Sequence, residues 1–186
     1  MNILGPDIHA ALLSVRRFHE HVALLLQTAD AHMLENGFKK KYGNTTLAEG
    51  SGSLDQPIKW MPHTAFRFYS RKKGATDVVV FASVIMCPRG PESHARPWKE
   101  PLVTAGWLRL AKPVSKWNQY GWANMIVWTD VERDGTLSRW IPPGGKPCEN
   151  GSLEQRCLAV PLVEITSTEG LAQRVLAPVI KSLGTR

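Results

Sequence analysis

Residues 77–87, DVVVFASVIMC, form the most apolar stretch of the chain and decide the fold prediction. Apolar side chains occupy both of its alternating faces, which is typical of a strand that is covered on both sides. Residues 63–70, HTAFRFYS, come shortly before it. In them Phe66 and Phe68 point one way, while Arg67 and Tyr69 point the other. A central strand next to an alternating strand predicts a sheet.

Four further strand regions follow toward the C-terminus. PLVTAGWLRLA (101–111) alternates, with Trp107 and Arg109 on one face. WANMIVWTD (122–130) leads through an Asp-Gly turn into TLSRWI (136–141), because Asp-Gly favours the positive φ of a hairpin. CLAVPLVEI (157–165) is the last candidate, and Pro161 favours an edge strand or a bulge because proline cannot donate to the ladder.

Two helices are predicted, one on each side of the strands. The first, from about 7 to 35, has apolar residues spaced four and three apart, with His19 in one place of the series: Ile8, Leu12, Val15, Val22, Leu26, Ala29 and Met33. This broad stripe predicts a helix that is largely buried in its own domain or in a dimer. The second, at 167–183, follows a capping box at 166–169 and is expected to kink at Pro178.

These elements predict one α+β domain over residues 1–186. It has a long N-terminal helix, a mostly antiparallel sheet of five or six strands within 63–166, and a short C-terminal helix. Residues 43–57 are rich in Gly, Ser and Thr and are expected to form a flexible loop. A chain of 186 residues can bury a sizeable core without disulfides or a metal.

Composition excludes several classes of protein. A hydrophobic content of 43% argues against disorder, and no apolar run approaches the length that spans a bilayer. The N-terminus lacks the pattern of a signal peptide, and Cys87, Cys148 and Cys157 form no CxxC pair. We therefore expect a cytoplasmic protein with no disulfide framework, metal site or cofactor, and no membrane partner.

Positive charge is concentrated in the middle of the chain. The formal net charge is +7, and residues 1–54 and 130–186 each hold equal numbers of acidic and basic residues. Residues 55–129 hold eleven basic residues against four acidic ones, which accounts for the whole excess. A localised excess of this kind attracts anions.

Aromatic residues recur beside the basic ones in this segment, which is tryptophan-rich. Cations neutralise phosphates and flat rings stack on bases, so the combination favours binding of RNA or single-stranded DNA. If the strands carrying Arg67 and Trp107 present the same side of the sheet, they form a stacking platform with a basic rim. The predicted nucleic-acid-binding residues are Lys59, Arg67, Tyr69, Arg71, Lys72, Lys73, Trp98, Lys99, Trp107, Arg109, Lys112, Lys116 and Trp117.

Two other functions stay open. The long N-terminal helix is compatible with a protein-interaction or sensory module that forms a homodimer or joins a larger complex. An enzyme would need a site assembled from dispersed residues, for which the candidates are His63, Cys87, His94, Asp130 and Glu132. No spacing places any two of these together, so the sequence favours a non-enzymatic binding domain with no catalytic residues.

Overall fold

The computed structural model describes residues 5–41, 47–48, 64–71, 77–86, 100–112, 131–147 and 151–184. It confirms the α+β prediction. Helix α1 is Gly5–Glu35, and the C-terminal helix, residues 168–184, is called α2. The strands are β1 Phe38–Lys40, β2 Leu47–Ala48, β3 Thr64–Arg71, β4 Val78–Ile85, β5 Leu102–Leu110, β6 Ser138–Trp140 and β7 Ser152–Pro161. Two short 3₁₀ turns occupy Pro143–Gly145 and Leu162–Glu164.

All the described strand pairs are antiparallel and belong to one sheet. Its order is β1-β3-β4-β5-β7-β6, with the short β2 also pairing with β3. The predicted central strand, β4, does lie between β3 and β5. The positive φ predicted for the Asp-Gly turn is found before β6, where Gly135 has a φ of 84° and the Thr136 N–H donates to Asp134 Oδ1 at 2.8 Å. The hairpin itself stays a prediction, because the strand expected before the turn lies outside the described residues.

The last strand differs from its prediction. β7 lies inside the sheet between β5 and β6, so an edge position is wrong. Pro161 is compatible with this place because it is the final residue of the strand, beyond the part that pairs with β6. Of the predicted loop at 43–57, Leu47–Ala48 pairs with β3, and the other positions lie outside the described residues. The predicted strand at 122–130 also lies outside them.

The helices cover one face of the sheet, which we call the helix-covered face. Register places Tyr69, Val80 and Trp107 in one row across β3, β4 and β5 on this face. They pack in one apolar cluster with Ala29 of α1 and Val179 of α2. The opposite face, which includes Phe66, Phe68, Phe81, Leu108 and Cys157, is buried as well.

Gly106 on β5 sits at a close approach between strands. A Cβ at this position would lie 2.1 Å from the carbonyl oxygen of Arg156 on β7 and 2.8 Å from the Phe81 ring. Neither separation is compatible with a real side chain, so the residue must lack one if β5 and β7 are to pair here.

Helix α1 extends beyond the body that it covers. Its buried residues begin at Val22, and no residue from 5 to 21 is buried. Ile8 and Leu12 lie on the predicted apolar stripe but are 49% and 63% exposed. Burial in the chain's own domain is therefore confirmed only for the C-terminal part of the helix, because the sheet and α2 do not reach the N-terminal part.

Helix α2 changes its hydrogen-bond pattern just before Pro178. Ser167 caps it by accepting the Gly170 N–H at 3.0 Å, so the cap lies one residue after Thr166, where the predicted capping box begins. Residues Ala172–Leu176 are π-helical, and the Ala177 N–H bonds to the Ala172 carbonyl, five residues back. A wider turn next to a proline is expected because Pro178 has no N–H with which to continue the regular pattern. Neither helix in the described part of the chain is long and apolar enough to cross a membrane.

Candidate anion-binding site

Six of the thirteen predicted nucleic-acid-binding residues lie in the described part of the chain. They are Arg67, Tyr69, Arg71, Trp107, Arg109 and Lys112. The other seven lie outside it: Lys59, Lys72, Lys73, Trp98, Lys99, Lys116 and Trp117. The six do belong to neighbouring strands or strand ends, but the structure gives them different environments.

Arg67 and Tyr69 point into the molecule toward Asp30 of α1. Arg67 Nε and Nη2 donate to Asp30 Oδ1 and Oδ2 at 3.0 and 2.6 Å, and the Tyr69 hydroxyl donates to Oδ1 at 3.0 Å. Lys40 Nζ lies 3.5 Å from Oδ2. The Arg67 side chain is only 5% exposed, because α1 lies on the face from which it projects. This group, which we call the Asp30 cluster, joins α1 to β1 and β3.

Burial also alters the chemistry of Tyr69. It raises the pKa of the phenol well above its usual range, and the adjacent Asp30 carboxylate raises that pKa further. Tyr69 therefore stays a neutral hydrogen-bond donor, and its ring is not available to stack on a base.

Trp107 is buried on the same helix-covered face. Its Nε1–H donates to Ser182 Oγ of α2 at 2.8 Å, and the Arg156 guanidinium lies 5.7 Å from its ring centroid. The two strands do present these side chains on the same side of the sheet, since Tyr69 and Trp107 both pair with Val80. The expected exposed stacking platform is not formed by these two rings, because α1 and α2 cover them.

Arg71 and Lys112 are exposed, and each lies at a strand end. Arg71 Nη2 donates to the Leu183 carbonyl of α2 at 3.2 Å, where the unpaired carbonyls of a helix end attract a cation. Lys112 follows β5 by two residues. Both can contribute positive potential at this end of the sheet, and neither is part of a close cluster in the described residues.

Arg109 is the predicted residue that leads to a candidate site. It lies on β5 directly across from Glu154 of β7. Arg156 lies two positions farther along β7 and pairs with Arg139 of β6, the last strand of the described sheet. Strand alternation puts all four side chains on the same face of the sheet. We call Arg109, Arg139, Glu154 and Arg156 the arginine cluster.

Glu154 forms the centre of this cluster. Arg109 Nη2 donates to its Oε2, and Arg139 Nε donates to its Oε1 at 2.8 Å. Arg156 Nε is 3.8 Å from Oε1, which is an ion-pair distance and too long for a hydrogen bond. Glu154 is buried, whereas the Arg139 side chain is 54% exposed and the other two are part-buried.

The cluster holds more positive charge than one carboxylate neutralises. Among the described residues, three guanidiniums face one Glu, and the Nε atoms of Arg109 and Arg156 are buried with no hydrogen-bond partner. Guanidinium groups present their N–H donors in a planar fork that matches carboxylate or phosphate oxygens. The arrangement is therefore suited to holding an anion at the exposed side of Arg139.

The described residues show little that fits other chemistry. No three His, Cys, Asp or Glu side chains among them are grouped as metal ligands. Cys157 is buried, and burial raises the pKa of its thiol far above the usual range, so it stays unreactive. Of the dispersed catalytic candidates, Glu132 is exposed, and His63, Cys87, His94 and Asp130 lie outside the described residues.

Arg139, Glu154 and Arg156 were not among the predicted site residues. They belong to the C-terminal part of the chain, where acidic and basic residues balance, so its net charge gives no signal. Alternation alone places Glu154 and Arg156 on one face of their strand. They lie next to Arg109 because β5 pairs with β7, and this pairing was not predicted from the sequence.

Comparison with known proteins adds no assignment. No protein-family model matches the chain, and no curated protein or solved structure is significantly similar to it.

Proposed function

We propose that this protein is a non-enzymatic domain that binds nucleic acid through its phosphates, with Arg109, Arg139 and Arg156 as the central contacts. The observation that carries the proposal is the surplus of guanidinium charge around Glu154 on a partly exposed surface. Such groups attract phosphates without reading the base sequence.

Nucleic acid is favoured over a small anion by the charge around the cluster. Lys112 and Arg71 are exposed at the ends of β5 and β3, which lie at the same end of the sheet because Tyr69 and Trp107 both pair with Val80 near the start of β4. A polyanion can use such separated charges together, whereas a single phosphate cannot. The concentration of the whole +7 charge within residues 55–129 supports the same ligand class.

The expected ligand is RNA or single-stranded DNA, held by its backbone. Tyr69 and Trp107 are buried, so these two rings do not contribute base stacking. Binding should therefore fall steeply with salt and vary little with sequence.

Fluorescence anisotropy with labelled oligonucleotides tests this proposal. The chain is titrated into single-stranded RNA, single-stranded DNA and duplex DNA, beginning at about 50 mM salt and repeating at about 200 mM. Arg139→Ala is the informative variant, because its side chain is half exposed and its removal leaves Arg109 on Glu154. Arg17→Ala on the exposed surface of α1 is the matched control, since it removes the same charge far from the cluster.

We expect Arg139→Ala to weaken binding about threefold to tenfold at low salt and to reduce the salt slope by about one phosphate contact. Arg17→Ala should change affinity by less than twofold, about the effect of one distant charge. No binding at low salt, or equal losses in the two variants, would show that the arginine cluster is not a nucleic-acid contact.

A further inference from the structure

We propose that the arginine cluster binds the terminal phosphate of a nucleic-acid strand in preference to the phosphodiesters along its backbone. This inference rests on the proposed function and adds to it the chemical class of the group that the cluster holds. It depends on the net charge of the cluster, on how closely its guanidiniums are gathered, and on the cations at the same end of the sheet.

The charge of the cluster matches a phosphate monoester. Arg109, Arg139 and Arg156 carry three positive charges. Glu154 carries one negative charge, so the four side chains together carry two positive charges. A phosphodiester within a strand carries one negative charge, whereas a terminal phosphate carries about two at neutral pH. The terminal phosphate is therefore the group of a strand that neutralises the cluster most completely.

The three guanidiniums are gathered around one point. The Nε atoms of Arg139 and Arg156 lie 2.8 and 3.8 Å from the same carboxylate oxygen of Glu154. Arg109 donates to the other oxygen of that carboxylate. Cations that surround a single carboxylate can act together on one compact anion, whereas a strand that lies across a surface needs charges spaced along its backbone. The closeness of the guanidiniums therefore favours a single, multiply charged group.

Contacts behind the cluster hold two of its guanidiniums in place. The Arg156 guanidinium lies 5.7 Å from the ring centroid of Trp107, and the Trp107 Nε1–H donates to Ser182 Oγ at 2.8 Å. Arg109 is held by the buried carboxylate of Glu154. Cations that are already fixed and partly shielded from water bind an anion more strongly than mobile surface cations, because less side-chain freedom is lost.

Arg139 forms the open side of the cluster. Its side chain is more than half exposed, and among the described residues it bonds to Glu154 through Nε. A guanidinium has five N–H donors in a planar fork, so the two terminal nitrogens of Arg139 can donate to phosphate oxygens. A terminal phosphate can therefore bind from this side while Glu154 keeps its bond to Arg109.

The surrounding charge favours a nucleic-acid strand as the molecule that carries this phosphate. Arg71 and Lys112 are exposed at the ends of β3 and β5, at the same end of the sheet as Arg109. They lie outside the arginine cluster and can contact the phosphodiesters that follow a terminal phosphate. A free phosphate has no further charges with which to use them.

Fluorescence anisotropy with strands of matched charge tests the inference. Two internally labelled single-stranded RNAs carry a terminal phosphate, one at the 5′ end and one at the 3′ end. A third has hydroxyl groups at both ends and is longer by about two nucleotides, so that all three carry about the same total charge. At about 50 mM salt, we expect at least one phosphorylated strand to bind about tenfold more tightly than the strand with hydroxyl ends.

The ratio of the two dissociation constants shows which residues recognise the terminal phosphate. Arg139→Ala should lower this ratio from about tenfold to about twofold. Lys112→Ala is the matched control, because it removes one exposed cation at the same end of the sheet. It should weaken binding of both strands by a similar factor and leave the ratio close to that of the wild type. Since the ratio compares two ligands on one protein preparation, a partly unfolded variant does not distort it.

The outcomes separate this inference from the proposed function. Equal affinity for all three strands, or an equal ratio in Arg139→Ala and Lys112→Ala, would leave the proposed function in place and overturn the assignment of a terminal phosphate to the cluster. No binding of any strand at low salt would overturn both. A nucleoside monophosphate or a phosphorylated peptide that displaces the labelled strand as effectively as the unlabelled phosphorylated strand would overturn the assignment to a strand end.

Discussion

The Asp30 cluster and the arginine cluster are built from the same kinds of charged side chain but differ in how far they are covered. Each centres on one buried carboxylate surrounded by cations on the helix-covered face of the sheet. In the Asp30 cluster, Arg67 and Tyr69 are buried beneath α1. The Arg67 guanidinium and the Tyr69 hydroxyl both donate hydrogen bonds to the Asp30 carboxylate. In the arginine cluster, no described helix covers Arg139. Among the described residues, the three guanidiniums carry more positive charge than the Glu154 carboxylate neutralises.

The difference shows that a covering helix decides the role of a buried ion pair. Under α1, water is excluded and the pair fixes how the helix sits on β1 and β3. At β6, the outer arginine, Arg139, bonds to Glu154 and is still more than half exposed, so its charge is accessible from solvent. The alternation of residues along the strands does not distinguish the two clusters, because in both of them basic side chains alternate along a strand.

The largest expected effect is on stability. Arg67→Ala should lower the free energy of unfolding by about 3–5 kcal/mol, because Asp30 would remain buried with less compensation. Arg139→Ala should cost less than about 1 kcal/mol, as expected for an exposed ion pair. Urea unfolding at one protein concentration measures both. Equal losses of unfolding free energy would contradict the distinction between the Asp30 cluster, which α1 covers, and the arginine cluster, which is partly exposed.

A smaller effect concerns alkaline pH. Because the folded-state pKa of Tyr69 is raised above its usual value near 10, the folded protein keeps this proton at a pH where the unfolded chain releases it. The stabilisation is complete below about pH 10 and is lost as pH rises, by up to about 1.4 kcal/mol per pH unit. Tyr69→Phe should flatten this decline. The Cys157 thiol, also buried with a raised pKa, contributes equally to both proteins.

Chemical denaturation at pH values from about 8 to about 11 compares the two proteins. The difference between the curves isolates Tyr69 because every other group is shared. If the wild type and Tyr69→Phe lose stability in parallel above pH 10, the phenol does not keep its proton in the folded state.

The smallest expected effect is on ligand affinity. Glu154→Gln removes the internal anion from the arginine cluster and should tighten oligonucleotide binding at low salt by about threefold. Asp30→Asn changes the net charge by the same amount beneath α1 and should leave affinity within about twofold while lowering stability. Anisotropy titrations of the two variants give this comparison. Tighter binding by both would indicate that only net charge matters.

Much of the fold could be predicted from local pattern. Alternation in residues 63–70 correctly separates Phe66 and Phe68 from Arg67 and Tyr69, and the stripe of α1 marks a helix whose observed bounds are close to those expected. These features depend only on residues close in sequence. β1 was not predicted because three residues, two of them lysines, carry no periodic signal.

The candidate site could be predicted only in part. Arg109 was identified from its position beside Trp107, but which face the helices cover is not encoded in strand alternation. Both faces of β4 are apolar, so the sequence gives no reason to bury Arg67 and Tyr69. The one hint was Asp30, an acidic residue beside the buried stripe of α1, for which a buried cation was the natural partner.

The missing side chain at Gly106 bears on which sequences this fold can tolerate. Because a Cβ there would collide with β7, even alanine would push apart the two strands that hold Arg109 and Glu154 in register. A complete substitution scan should therefore rank this position among the least permissive in the chain, alongside the large buried aromatic residues. A hydropathy profile does not identify Gly106 as a position that is sensitive to substitution. A redesigned sequence that keeps every apolar position but adds a side chain at Gly106 would lose the arrangement of the arginine cluster together with the strand pairing.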